Sequence, residues 1–319
     1  MVPVSCPGSR GSPYPGPVRD DLLPVLACPV CAEPLARTAP GQAGCAHGHR
    51  YDEAKQGHLT LLPAKRRALT ADTPAMVDAR IRFLGRGHYA PVERALADVA
   101  VAVSAPGIVL DVGSGPGTYL AHVLDATGPR AATGPRAAAG AATATAPGTA
   151  TGPADGADPA GRLGVALDLS AVAIRRAARV HARGGAVVGD VTERLPVVDG
   201  AAAVVLDVFA PRNQREYARV LHPAGVLAVV TPRVGHLAEL AEATISVDPE
   251  KERRLLGSLT PAFTLRTSDD LTWTTDLTAE DVHDVVHMGP SHHHVPADAV
   301  FAATTVTAAV TVSTWVPVR

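Results

Sequence analysis

The sequence predicts an α/β protein: a parallel sheet covered by helices on both faces, preceded by a small module held together by a metal ion. Three observations predict it. Apolar, strand-like runs alternate with helical patterns from Gly107 to Val230. A glycine-rich turn, Asp111-Val-Gly113-Ser-Gly115-Pro-Gly117, directly follows the first of those strands. Upstream of both, three cysteines and two histidines crowd between Cys28 and His49.

Composition sets the bounds. A chain of 319 residues has room for about two domains at ~100–200 residues each, and its 46% hydrophobic content is enough to fill a sizeable core. Charges nearly cancel, with 29 Lys+Arg against 31 Asp+Glu, which excludes a wholly basic or wholly acidic solvating chain. Four cysteines are too few for a disulfide-built scaffold. No apolar run approaches the ~20 residues of a membrane helix. The first 24 residues carry six prolines and no apolar stretch of the kind a signal peptide needs. The expectation is a soluble, cytoplasmic protein.

Residues 1–24 read as a disordered leader, 25–64 as the metal module, 65–106 as a helical linker and 107–319 as the α/β domain. In the linker, Met76, Ile81, Phe83 and Leu84 fall at helical spacing. The domain opens with a buried strand over Gly107 to Val112. Strands follow at Leu163 to Leu167, Ala186 to Val188, Ala202 to Leu206 and Val226 to Val230, with helices around Ala171 to Ala182 and Arg215 to Leu221. Consecutive apolar strands joined by helices make a parallel sheet covered on both faces. Phe263 to Arg266 and Thr304 to Val316 suit an antiparallel edge. Between Ala126 and Ala160, 31 of 35 residues are Ala, Gly, Thr or Pro, and no Leu, Ile, Val or aromatic residue occurs. Such a segment has nothing to bury against its ordering entropy, so it reads as a loop insertion, which length alone penalises weakly.

Cys28-Pro-Val-Cys31 and Cys45-Ala-His-Gly-His49 are spaced C-x2-C-x13-C-x3-H. Two cysteines two apart present both thiolates to one ion from a tight turn, and a second loop completes the tetrahedron of a closed structural Zn²⁺ site. Cys28, Cys31, Cys45 and His49 are the expected ligands, with His47 a competitor for the fourth place. A segment this short cannot build its own core, so the metal's task is folding. Cys6 has no partner.

In the glycine turn, the backbone can pass within contact distance of a ligand at the carboxyl end of the strand. A dinucleotide fingerprint spaces its glycines G-x-G-x-x-G. Here Gly113, Gly115 and Gly117 alternate, and Asp111 stands two residues ahead of them. The D-x-G-x-G-x-G form suits S-adenosylmethionine, which has no phosphate to cradle. Asp168 ends the next strand, where ribose hydroxyls need an acceptor. It lies 51 residues past Gly117, or 16 once the insertion is set aside, a normal strand–helix–strand separation. Asp190 follows the strand after that, where adenine is expected.

At this point the residues resemble a known family. Cys28-Pro-Val-Cys31, Pro34-Leu35, Gly48-His49-Arg50-Tyr51-Asp52, Ala54-Lys55-Gln56-Gly57 and Leu61-Leu62-Pro63 resemble the zinc module of the 23S rRNA (guanine-N1)-methyltransferases. The likeness continues through Gly87-His88-Tyr89-Ala90-Pro91, the glycine turn, Leu167-Asp168, Arg194-Leu195-Pro196, Ala210-Pro211 and His236-Leu237. The resemblance implies a Rossmann-like S-adenosylmethionine-dependent methyltransferase domain behind a zinc-binding, RNA-recognising module. It further implies donor contacts from Tyr89, Gly115, Pro116 and His236. Pro116 departs from the acidic residue often found at its position. Ala210-Pro211 falls where such enzymes hold the target base.

The implied reaction is attack of guanine N1 on the sulfonium methyl, in hairpin 35 of 23S rRNA. Nucleotide 748 is favoured over 745, and macrolide (tylosin-type) resistance is one outcome. A homodimer is also implied. The base that takes the N1 proton is not named; a carboxylate or solvent are both open. Charge agrees with an RNA partner. Cys28 to Arg94 holds ten Lys/Arg and six Asp/Glu, a local excess of four in a chain whose net is −2. Lys65-Arg66-Arg67 is the expected phosphate contact. His283, His287, His292, His293 and His294 read as a polar loop and not as a second metal site. Two other classes stay open: a methyltransferase acting on tRNA or a small molecule, and a non-catalytic zinc-stabilised RNA-binding protein.

Overall fold

A computed structural model describes residues 18–62, 71–128, 161–241, 257–289, 294–296 and 298–318. The metal module is a three-stranded antiparallel sheet of β1 (Ala36–Ala39), β2 (Gln42–Gly44) and β3 (Arg50–Asp52). A short strand, β4 (Leu59–Thr60), then leaves the module for the main sheet. Next come α1 (Pro74–Gly85) and α2 (Ala90–Ala102). Thr73 caps α1 by accepting from the Met76 amide, and Pro74 and Pro91 sit in the first turns, where a missing N–H costs nothing.

The domain proper runs β5 (Ile108–Val112), α3 (Thr118–Ala126), β6 (Gly164–Asp168), α4 (Ala171–Ala177), β7 (Gly184–Val188), β8 (Ala202–Val208), α5 (Gln214–Val220) and β9 (Leu221–Pro232). A long hairpin-like edge follows, of β10 (Phe263–Leu277), α6 (Ala279–His287) and β11 (Thr304–Pro317). The eight-stranded sheet has the order β10-β11-β9-β8-β5-β6-β7-β4. Strands β4 to β9 pair in parallel; β11 runs antiparallel to β9 and to β10. The chain walks outward from β5 to β6 and β7, then returns to the other side of β5 through β8. That reversal opens a crevice at the carboxyl ends of the central strands, the place where open α/β sheets bind ligands.

Each face of the sheet carries its own core. Phe83, Val92 and Leu96 from α1 and α2 pack with Leu120 and Val123 of α3 against Val109, Ala166 and Val204. On the opposite face Cys28, Leu35, Cys45 and Leu59 of the metal module pack with Leu110, Leu167 and Val187. The module therefore borrows its core from the sheet.

The helices expected as a linker are two full helices buried in the first of these cores, because their apolar stripes face the sheet. The leader also ends sooner than Pro24: Val18, Leu22 and Leu23 are buried, and Leu22 lies where a Cβ on Gly185 would meet it at 2.8 Å. Their apolar side chains fill the seam between module and sheet, and the Pro-rich composition that precedes them conceals this. The ends of the Ala/Gly-rich insertion meet, with the Arg162 amide donating to Thr127 O at 3.2 Å; residues 129–160 lie outside the described residues. Among the described residues no helix is long and apolar enough to cross a membrane.

Candidate active site and metal centre

The metal centre forms where two knuckles face each other. The Ala32 amide donates to Cys28 O, and the Gly48 amide donates to Cys45 O, each closing a tight turn. Ligand atoms of Cys28, Cys31, Cys45 and His49 all lie within 4.8 Å of one another. Sγ of Cys31 and Cys45 are 3.6 Å apart, and His49 Nδ1 lies 3.5, 3.6 and 3.2 Å from the sulfurs of Cys28, Cys31 and Cys45. These are the edges of a tetrahedron about an ion at ~2.3 Å from sulfur and ~2.0–2.1 Å from nitrogen, so the donor set fits Zn²⁺. His49, not His47, joins the group. Burial opposes ionisation of Cys28, but the Tyr51 hydroxyl at 3.0 Å and the amides of Cys31 and Val30 bring its thiol down to about 6. Tyr51 thus donates to the sulfur that would bind metal.

The glycine turn joins β5 to α3. Gly113 has φ +71, and a Cβ there would sit 2.5 Å from Cβ of Ala210. Only glycine lets the turn after β5 approach the turn after β8 this closely. Gly117 caps α3 in the left-handed region at φ +83. Asp111 on β5 is 1% exposed, and its Oδ2 has no hydrogen-bond partner. Burial, reinforced by the Asp168 carboxylate, pushes its pKa up to about 8. Asp168 accepts from the Gly115 amide at 2.9 Å and from the Ser170 amide at 2.7 Å. Burial raises its pKa, and these two amides hold it back. Asp190 accepts from the amide and hydroxyl of Thr192 at 2.9 and 2.7 Å.

Tyr89 enters from the turn before α2, where Trp273 Nε1 donates to His88 O at 3.0 Å. His236 enters from the loop after β9. Its Nδ1 accepts from the Ala309 amide at 3.1 Å, so the ring proton sits on Nε2, which donates to the Tyr89 hydroxyl at 3.0 Å. Burial drives the His236 pKa down to about 4, which keeps the ring neutral. Burial likewise raises the Tyr89 phenol, which therefore stays protonated.

The structure sets Asp111 on β5 and Gly113, Gly115, Pro116 and Gly117 along the turn that follows it, joins Asp168 to the Gly115 amide, and hydrogen-bonds Tyr89 to His236. Lys65, Arg66 and Arg67 lie outside the described residues, as do His292 and His293. His283 and His287, expected in a polar loop, instead lie on α6, with rings 4.3 Å apart and tilted by 42°. Among the described residues only the Cys₃His group gathers three or more metal-ligating side chains.

Motif reading passed over two residues of the cleft. Arg80, on α1, pairs with Asp72 at 2.6 Å and stands 3.0 Å from where a Cβ of Gly115 would lie. Phe209, directly after β8, sits 6.1 Å from the rings of both Tyr89 and His236. Arg80 falls within the stretch that resembles the methyltransferase family, where no role is given to it, and Phe209 belongs to no spacing pattern.

The site fits S-adenosylmethionine: Asp111 leaves a buried Oδ2 without a partner, and Asp168 on the next strand keeps lone pairs beyond those that meet Gly115 and Ser170.

Comparison with known proteins agrees. Residues 26–68 match the zinc-ribbon family described as RlmA, N-terminal. The chain is 39% identical to the 23S rRNA (guanine(748)-N(1))-methyltransferase of Streptomyces fradiae, over 88% of this chain and 90% of that one. It is also 39% identical to a protein of Micromonospora griseorubida that carries the name of a 23S rRNA (guanine-N(1)-)-methyltransferase, over 93% of this chain and 99% of that one. A similarly named protein of Bacillus subtilis (strain 168) is 25% identical over 86% of this chain and 89% of its own length. The chain belongs to the 23S rRNA (guanine-N1)-methyltransferase family.

Proposed function

We propose that this protein transfers a methyl group from S-adenosylmethionine to N1 of a guanine in hairpin 35 of 23S rRNA, at nucleotide 748 in preference to 745. It would act in the cytoplasm as a homodimer and confer resistance to tylosin-type macrolides. The observation that supports the reading is a glycine turn and two carboxylates, Asp111 and Asp168, at the ends of β5 and β6, on a sheet that also anchors the zinc ribbon. A metal-held RNA module fixed to the same sheet as a donor cleft gives the substrate a defined register over the reacting centre.

When bound, the donor supplies an activated sulfonium methyl, and the protein's part is alignment. Asp168 retains lone pairs beyond those used by Gly115 and Ser170 and can accept from ribose hydroxyls. Asp111 Oδ2 gains the partner it lacks. Asp190 stands ready for the adenine side. Gly115 and Pro116 supply the loop wall, and the Tyr89–His236 pair closes the opposite side without introducing charge. Lys65, Arg66 and Arg67 are assigned to the phosphate backbone, where they would give salt-dependent affinity.

The test is primer extension on 23S rRNA from cells with and without the protein. A stop next to nucleotide 748 that depends on the protein supports the reading. A stop at 745 corrects the nucleotide, and no stop at either overturns it.

A further inference from the structure

We infer that Phe209 is the platform on which the target guanine stacks after it leaves the RNA helix. This rests on the RNA-methylation reading above and names the group that holds the acceptor base.

Of the 11 aromatic residues in the chain, Phe209 is the one exposed among the described residues, at 41%. Its backbone is held at φ +56, a left-handed conformation that a bulky side chain seldom adopts. The surroundings enforce it. The Phe209 amide donates to Val230 O at 3.2 Å, continuing the pairing of β8 with β9. Asp207, two residues earlier on β8, is fully buried. The Tyr217 hydroxyl lies 2.8 Å from Asp207 Oδ2 and 3.1 Å from Pro211 O, and Ala210 itself presses on Gly113 of the cofactor turn. The turn is thus anchored from beneath, and the aromatic ring is left partly in water.

The left-handed backbone and the exposure coincide at this residue. Together they fix a flat apolar surface beside the cofactor turn. The ring is flanked by Tyr89 and His236, both of which are uncharged. A neutral, planar, partly wet surface recognises the face of an unstacked base, which is how enzymes acting on bases hold them outside the helix. A rigid ring also sets the plane of the purine, and with it the direction in which N1 meets the methyl group.

The test compares wild type, Phe209→Asn and Phe209→Trp. Asparagine tolerates the left-handed backbone, so F209N keeps the fold while removing the ring; tryptophan restores a π face. Two hairpin-35 RNAs are used, one with guanine and one with an abasic site at the target position. Stacking on an aromatic side chain is worth ~1–3 kcal/mol, so F209N should weaken binding of the guanine hairpin about 5- to 150-fold and raise its KM. F209W should recover most of that loss, S-adenosylmethionine affinity by calorimetry should not change, and the penalty should vanish on the abasic hairpin. An equal penalty on both RNAs, or a matching fall in donor affinity, overturns the assignment. Wild type that fails to methylate guanine N1 at all would instead overturn the functional reading on which the assignment rests.

Discussion

The Tyr89 hydroxyl, in the turn before α2, accepts a hydrogen bond at 3.0 Å from Nε2 of His236, 147 residues further along the chain. The Ala309 amide on the other ring nitrogen dictates this direction. Removing only the hydroxyl, in Tyr89→Phe, leaves a buried imidazole N–H without an acceptor while the ring still packs on Phe83 and Trp273. Urea unfolding should show a loss of about 1–3 kcal/mol, and donor affinity should fall by calorimetry. An unchanged midpoint would mean that the pair is not formed.

Neutral His236 also makes a prediction about acid. Its pKa is about 4 in the folded chain against an ordinary 6.5, so the unfolded chain binds more protons between those values. Stability contributed by the neutral ring is complete above pH 6.5 and is lost as pH falls towards 4, by at most about 3 kcal/mol. Relative to wild type, His236→Gln should flatten that part of the curve. A curve with the same slope in both proteins would contradict the assignment.

Asp111 acts with the opposite sign. Its folded pKa, about 8, lies above the ordinary 3.8, so the folded chain holds the proton and loses stability as pH rises from about 4 to 8. Asp207, pushed up to about 7 by burial, adds a slope of the same sign. Asp111→Asn keeps the shape and cannot ionise. It should be more stable than wild type at pH 8 and little changed at pH 4, while donor affinity falls about two- to tenfold, as loss of one hydrogen bond implies. Equal stability at pH 8 would remove Asp111 as the source of the slope.

Most of this site was legible before the structure. The thiol spacing identified the metal ligands, and geometry settled His49 over His47. The glycine turn and Asp168 could be read from the chain because period and spacing are its own properties, and the structure joins them through the Gly115 amide. Tertiary context hid the rest. Leu22 and Leu59 look like parts of a leader and a loop until the sheet edge they cover is known. The two-residue strand Leu59–Thr60 is too short to show alternation, yet it pairs with Val187 and Val188. Phe209 reads as an ordinary apolar residue at a strand end; only its backbone angle and exposure mark it.

The shared core of ribbon and sheet implies that the metal supports the whole chain. Leu26 bridges to Val197, β4 pairs with β7, and Cys28 and Cys45 sit in the same apolar cluster as Leu110 and Leu167. Cys45→Ala, or zinc removal by a chelator, should lower the melting temperature of the entire protein in a single transition. The shift should be about 5 °C or more, the change that ~2–3 kcal/mol gives in a chain of this size. Two separate transitions, with the second unmoved, would show that the ribbon folds independently of the sheet.

The central claim is methylation of a guanine at N1, and nucleoside analysis tests it most directly. Purified protein is incubated with isotopically labelled S-adenosylmethionine and hairpin-35 RNA, and the digested nucleosides are identified by mass spectrometry. The account predicts label in 1-methylguanosine, abolished when the nucleotide at 748 is changed to adenine. Label in any other nucleoside, or none with zinc-replete protein that binds the donor, would contradict it.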